Sequence, residues 1–328
     1  MRPFRYVRAA RVPEAVDALA GARDGKLLAG GTNLVDLMRL DVEQPELLVD
    51  VTGIDFDRIE DVDGGGLRIG AGVRNSDLAA DPRVRAQVPM LSEALLAGAS
   101  GQLRNLATVG GNLMQRTRCL YFQDVSKPCN KRRPGSGCPA REGEHKNLAI
   151  LGHSEACVAT HPSDMAVALA ALDATVHVEG AGGRRDIPLV GFHRLPGGEP
   201  DRDTVLAPDE LIVAVSVPPL DIPPPFTTYR KVRERASFSF ALVSIAAAVD
   251  AGGGTVRDAR IALGGVAHRP WRAAKAEDVL RGAPATVESI ERAAAAELED
   301  AVPLRDNGYK IDLARRLIVD TLEDLVGR

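Results

Sequence analysis

Four cysteines, Cys119, Cys129, Cys138 and Cys157, are the only ones among 328 residues, and all fall within the stretch 116–157. Thiolates in such a group hold zinc or iron–sulfur clusters. Nine, eight and eighteen residues separate them. Structural zinc usually uses close pairs such as CxxC, and ferredoxin clusters use equally tight spacing. Neither occurs here, so spacing alone leaves a cluster, a zinc site and ordinary thiols or disulfides all open. Pro128 and Pro139 flank two of the cysteines and restrict the backbone there. Lys127, Lys131, Arg132 and Arg133 would offset the negative charge of four thiolates. The run Asn130–Arg133 otherwise reads as a solvated turn. With so few apolar residues, the stretch needs an inorganic group to order it. So few cysteines in so long a chain do not make a disulfide scaffold.

Two glycine-centred stretches form a second chemical signal. In AGGTNLVDL (29–37) a short apolar strand runs into Gly30-Gly31 and then into a helix. Free backbone N–H groups at a helix start attract anions, and glycine lets a phosphate approach closely. ATVGGNL (107–113) repeats the device. Neither is a Walker loop or a dinucleotide GxGxxG, and an ordinary strand–turn–helix explains each singly. Together they suit the two ends of one long cofactor.

These loops need a scaffold, and the rest of the chain reads as one. Charged residues make up 26% and the net charge is −4, so no basic field points to nucleic acid. No stretch approaches the roughly 20 apolar residues of a membrane helix. The N-terminus has basic residues but no apolar core, and so reads as no signal peptide. Helices are expected at 13–22, 32–42, 75–99 and 164–174, with a hairpin over 175–189 turning at Ala181–Gly183. The proline-rich run 217–226 reads as a domain boundary. Beyond it, two strands joined across 251–255 precede three helical patterns.

LLAGGTNLVDLMR (27–39), LRNLATVGGNLMQ (103–115), HPSDMAVAL (161–169) and YRKVRERASFSFALVSIAAA (229–248) occur in an order that resembles the FAD-binding medium subunit of the molybdenum hydroxylases, the xanthine and carbon monoxide dehydrogenase family. The cysteine-rich insert is similar to that of the flavin subunit of bacterial periplasmic aldehyde oxidoreductases, which carries an extra [4Fe–4S] cluster; 4-hydroxybenzoyl-CoA reductase has a related insert. The resemblance implies an α+β fold: a two-lobed FAD-binding domain of the PCMH/vanillyl-alcohol-oxidase type, then a C-terminal three-stranded antiparallel sheet with a helical bundle. It implies domains 1–222 (lobes about 1–57 and 58–222, insert 116–157) and 223–328.

For the site, the resemblance implies that Lys26, Leu27, Leu28, Ala29, Gly30, Gly31, Thr32, Asn33 and Leu34 wrap the FAD pyrophosphate. Thr108, Gly110, Gly111 and Asn112 would face the flavin side. Asp164 and Lys231 would contact the cofactor, although Asp164 also reads as a helix cap and Lys231 as a surface charge. Cys119, Cys129, Cys138 and Cys157 would ligate the [4Fe–4S] cluster. None of the six histidines lies in the glycine loops, so FAD is expected without a covalent bond.

The implied function is electron transfer within a heterotrimer. A molybdenum-cofactor large subunit oxidises the substrate, a small subunit with two [2Fe–2S] clusters passes electrons on, and FAD on this chain hands them to a small-molecule acceptor. No catalytic acid, base or nucleophile is expected here. The location is cytoplasmic, or periplasmic by export with a partner. The rival readings are a self-sufficient FAD oxidoreductase of the same fold with structural zinc in place of the cluster, and a zinc scaffold without FAD.

Overall fold

The computed structural model describes residues 1–328. Three sheets divide the chain. The first holds β1 (Arg5–Arg8), β2 (Gly25–Leu28) and β3 (Leu47–Asp50), all parallel in the order β1-β3-β2. Helices Val12–Ala20 and Leu34–Arg39 make the crossovers. The apolar run of β3 suits a central parallel strand, buried on both faces.

The second sheet is antiparallel throughout. It contains β4 (Ile59–Asp61), β5 (Leu67–Gly70), β6 (Thr175–Gly180), β7 (Gly183–Pro188) and β8 (Leu211–Val217), in the order β4-β5-β8-β6-β7. β6 and β7 form the expected hairpin. Helix Asp164–Ala171 is buried at every position, which its apolar composition all round requires.

The third sheet joins β9 (Thr227–Val232), β10 (Val243–Gly252), β11 (Thr255–Gly264) and β12 (Trp271–Arg272) as β12-β11-β10-β9. Three long antiparallel strands therefore gain a two-residue fourth at one edge. Along β10, Val243, Ile245, Ala247 and Val249 enter the core beneath the C-terminal helices, while Ala246 and Ala248 enter the core around helix Asp164–Ala171. The period of two thus buries both faces of one strand, which is why its sequence runs apolar without polar alternation. Helices Ala274–Leu280, Val287–Leu298 and Tyr309–Val326 follow.

The insert 116–157 contains only a short helix, Leu120–Gln123, and a 3-10 turn, Pro139–Arg141. Its basic run is not a solvated turn. Lys131 is 3% exposed; its ammonium donates to the Pro200 carbonyl (2.7 Å) and pairs with Asp203. It also donates to Nε2 of His268 (2.6 Å), whose imidazole burial and the nearby ammonium keep neutral. Arg132 donates to the carbonyls of Tyr121 and Phe122. Only Arg133 behaves as a surface charge. No helix is long and apolar enough to cross a membrane.

Candidate functional site

The two glycine loops meet. A Cβ on Gly30 would lie 1.9 Å from the Leu106 carbonyl oxygen and 3.1 Å from the Ala107 nitrogen. Gly31 has φ +69, a conformation that side chains rarely adopt. Glycine is thus needed at position 30 for loop-to-loop contact and at position 31 for the turn into the helix.

Below this junction opens a cleft of about 620 Å³, which extends to the loop between β9 and β10. Thr32, Asn33, Gly111, Asn112, Asp164 and Lys231 line it. The other expected contacts stand behind it. Lys26, Leu27 and Leu28 form β2, and Lys26 lies 3.6 Å from the Glu43 carboxylate. Leu27 and Ala29 pack on the N-terminal core, and Leu34 opens its helix. Thr108 caps helix Val109–Leu113 by accepting the Gly111 N–H (3.2 Å), and Gly110 packs against Ala71.

Asn33 stands at the N-cap of its helix but makes no cap bond; its Oδ1 accepts the backbone N–H of Arg116 (2.8 Å). Arg116 in turn bonds Asp203 (2.9 Å) and Glu43. The entry of the insert is therefore tied to the first glycine loop. On the far side, Asn112 Oδ1 accepts from Ser163 Oγ (2.6 Å) and Gln115 Nε2 (2.7 Å).

Asp164 is not the cap of its helix. Ser163 takes that place and accepts the Ala166 N–H (3.0 Å). Ser163→Ala should lower stability by about 1 kcal/mol through loss of this cap, read as a shifted urea midpoint with unchanged slope. Asp164 is left free to pair. Its Oδ2 is 2.7 Å from Lys231 Nζ, and its Oδ1 accepts from the Tyr229 hydroxyl (2.5 Å). The acid and base expected as separate cofactor contacts form one buried pair. Burial raises the Asp164 pKa, and the Lys231 ammonium opposes that shift.

Five buried polar atoms without a hydrogen-bond partner lie on residues of this cleft: Asn33 Nδ2, Asn75 Oδ1, Arg118 Nε, His161 Nε2 and Ser244 Oγ. Buried polar groups are rarely left unpaired, so their gathering marks a place for a polar ligand. Burial holds the His161 pKa well below its usual value, so the ring is neutral. His161 and Ser244 fall inside the stretches 161–169 and 229–248, yet nothing in the sequence marks these side chains, or those of Asn75 and Arg118, for the cleft. They reach the cleft only through tertiary contacts, although His161 does adjoin the Ser163-Asp164 signal.

All four cysteines are free and line one small cavity with Lys131 and Asn130. Backbone N–H groups of Tyr121 and Phe122 face the Cys119 sulfur, and the Ala159 N–H faces Cys157. Burial pushes the Cys119 thiol up to about 11 and that of Cys157 up to about 12. Cys119 also lines the large cleft, so one residue belongs to both walls. No group of three or more His, Cys, Asp or Glu side chains is placed to hold a metal ion. Four free thiols around one cavity are the donor chemistry of a thiolate-bound metal group.

Residues 2–220 match the model for the FAD binding domain in molybdopterin dehydrogenase, and residues 227–325 match the CO dehydrogenase flavoprotein C-terminal domain. The chain is 50% identical to the aldehyde oxidoreductase FAD-binding subunit PaoB of Escherichia coli (strain K12), over 99% of this chain and 98% of that protein. It is 30% identical to the carbon monoxide dehydrogenase medium chain of Hydrogenophaga pseudoflava, over 96% and 94% of the two chains. A solved structure of carbon monoxide dehydrogenase from that organism superposes with a TM-score of 0.75 at 28% identity, covering 98% of this chain and 96% of that one. The chain belongs to the FAD-binding medium subunits of the molybdenum hydroxylase family.

Proposed function

We propose that this chain is the FAD-carrying electron-transfer subunit of a molybdenum-dependent aldehyde oxidoreductase heterotrimer, and that Cys119, Cys129, Cys138 and Cys157 hold an additional [4Fe–4S] cluster. The observation that carries the FAD assignment is the group of five unpartnered polar atoms in a cleft walled by both glycine loops. Its volume of about 620 Å³ lies within the usual range for small-molecule and cofactor sites.

Bound FAD exchanges electrons singly or in pairs, which suits a junction between iron–sulfur carriers and an external acceptor. The chain's residues bind and orient it. Thr32, Asn33, Gly111 and Asn112 bring the two glycine loops to the cleft wall, Asn33 and Asn75 offer unfilled hydrogen-bonding positions, and the Asp164–Lys231 pair fixes the wall opposite. Residues 1–222 form the cofactor-bearing domain in this reading and 223–328 close it. Substrate oxidation takes place on a molybdenum subunit, and electrons arrive through a small subunit with two [2Fe–2S] clusters. Similarity to the aldehyde oxidoreductase subunit favours aldehydes as the substrate class. The cysteine cavity shares Cys119 with the cleft, so a cluster held there would lie beside the FAD site.

Metal, sulfide and flavin analysis of the purified complex tests this. Expected are one non-covalent FAD and about four iron and four sulfide per heterotrimer beyond those of the two [2Fe–2S] clusters. Cys157→Ser should remove that excess iron and leave the [2Fe–2S] iron in place. Zinc with no excess iron would sink the cluster. Aldehyde turnover by this chain alone would favour the self-sufficient reading, and a complex without flavin would overturn the whole assignment.

A further inference from the structure

The stretch between Cys138 and Cys157 is held by the far end of the chain. Lys310, in the first turn of helix Tyr309–Val326, is fully buried. Its ammonium donates to three carbonyl oxygens: Asn147 (3.1 Å), Leu148 (2.9 Å) and Gly265 (2.5 Å). All three donors are used and no partner is a carboxylate. A buried ammonium with no counter-charge is costly, and burial lowers its pKa to about 7. A methionine would fill the same space without that cost. What the lysine adds is a three-way tie between segments far apart in sequence.

The neighbouring residues extend the tie. Asn307, also fully buried, donates to the carbonyls of Leu148 (3.3 Å) and Ala149 (3.1 Å), while its Oδ1 accepts the Leu304 N–H (2.7 Å). His145 Nε2 accepts the Asp306 N–H (3.0 Å), and Nδ1 bonds the Ala140 carbonyl (2.9 Å). Val302 N–H bonds the Ile150 carbonyl (2.8 Å). From this anchored limb, Ala149 N–H bonds the Val158 carbonyl (2.9 Å), next to Cys157. Asn147, Leu148 and Gly265 also line the large cleft.

We propose that Lys310, with Asn307, is a positioning residue that fixes residues 142–150 against the C-terminal helices, and so sets both the cleft wall at Asn147–Leu148 and the place of Cys157 among the four thiols. The part concerning the cofactors rests on the function proposed above. The tie itself does not, because it is made of hydrogen bonds within this chain.

The test uses the purified complex with Lys310→Met, and with the milder Tyr309→Phe, which removes only bonds to the Lys146 carbonyl and Asn147 side chain (both 3.2 Å) at the surface. Hydrogen exchange reads the limb, and excess iron and the visible circular dichroism of the flavin read the two sites. Lys310→Met should raise exchange of amides in 142–153 about tenfold relative to β10 and β11, and Tyr309→Phe a smaller amount. Excess iron should fall to about half or less, and the flavin dichroism should change shape, while far-ultraviolet dichroism is retained. Should Lys310→Met fail to fold, exchange and flavin dichroism in Tyr309→Phe decide. Unchanged exchange with full iron and a native flavin signal would overturn the proposal. A wild-type complex with no excess iron would sink the cluster assignment instead, leaving exchange and flavin dichroism to decide the role of Lys310.

Discussion

Gly30→Ala should leave purification with about a tenth or less of the wild-type FAD. The added methyl would sit 1.9 Å from the Leu106 oxygen and 2.6 Å from its carbonyl carbon, both backbone atoms. That backbone is poorly placed to yield. Ala107 N–H bonds Leu103, the Ala107 carbonyl accepts from Asn75, Val109 N–H bonds Val73, and Gly110 N–H bonds Ala71, at 2.8 to 2.9 Å. The first loop must therefore move, carrying Thr32 and Asn33 out of the cleft wall. Overpacking of this kind costs about 1–3 kcal/mol. If it falls on the cofactor-competent arrangement, the affinity loss is about tenfold to a hundredfold. The flavin-to-protein absorbance ratio after desalting measures it. Gly101→Ala is the control, because a Cβ there meets nothing within 4 Å. Full FAD and an unchanged melting temperature in Gly30→Ala would show that the loop junction is not needed.

Lys231→Met should destabilise the protein more than any surface change. The pair it breaks is buried, with side-chain exposures of 3% for Lys231 and 8% for Asp164. Removing one partner strands the other charge at about 3–5 kcal/mol, whereas replacing both is often close to neutral. Asp164→Asn combined with Lys231→Met should therefore recover most of the urea midpoint. If Asp164 also contacts the cofactor, the recovered double variant will still bind FAD weakly, which separates the structural role from the binding role. The pH dependence has a definite sign. With Lys231 gone, burial acts on Asp164 without its main opposing charge, so the folded-state pKa rises further above the unfolded value. The folded state then binds the extra proton, and stability falls as pH rises through that window. The deficit of Lys231→Met should be smaller at pH 5 than at pH 8. A deficit independent of pH would mean that Asp164 is not left as a buried charge.

Much of this was legible in the residues because it depends on local pattern. The 175–188 hairpin announces itself by strand composition around a glycine turn, and helix Asp164–Ala171 by an unbroken apolar run. The two glycine loops and the four cysteines stand out for the same reason, as unusual residues close together. What stayed hidden depends on partners far away in sequence. Lys131 sits in a basic run that looks solvated; only Asp203, Pro200 and His268 make it an interior residue. Asp164 and Lys231 read as independent contacts until β9 pairs with β10 and brings Lys231 opposite Ser244, beside the cleft. The contact between Gly30 and Leu106 is likewise invisible, since a glycine needed for a neighbouring chain segment looks the same as one needed for a phosphate.

The clasp between residues 302–310 and 142–153 also bears on the order of events during synthesis. A nascent chain exposes its last cysteine long before the ribosome has made Lys310. At about 5–20 residues per second, the remaining chain takes on the order of ten seconds to emerge. Throughout that interval the segment leading to Cys157 lacks its anchor, so an early-captured ion would meet an unshaped loop. Loading of the proposed cluster is therefore expected to follow synthesis of the segment 302–310, and a chain stalled before that segment should remain without it.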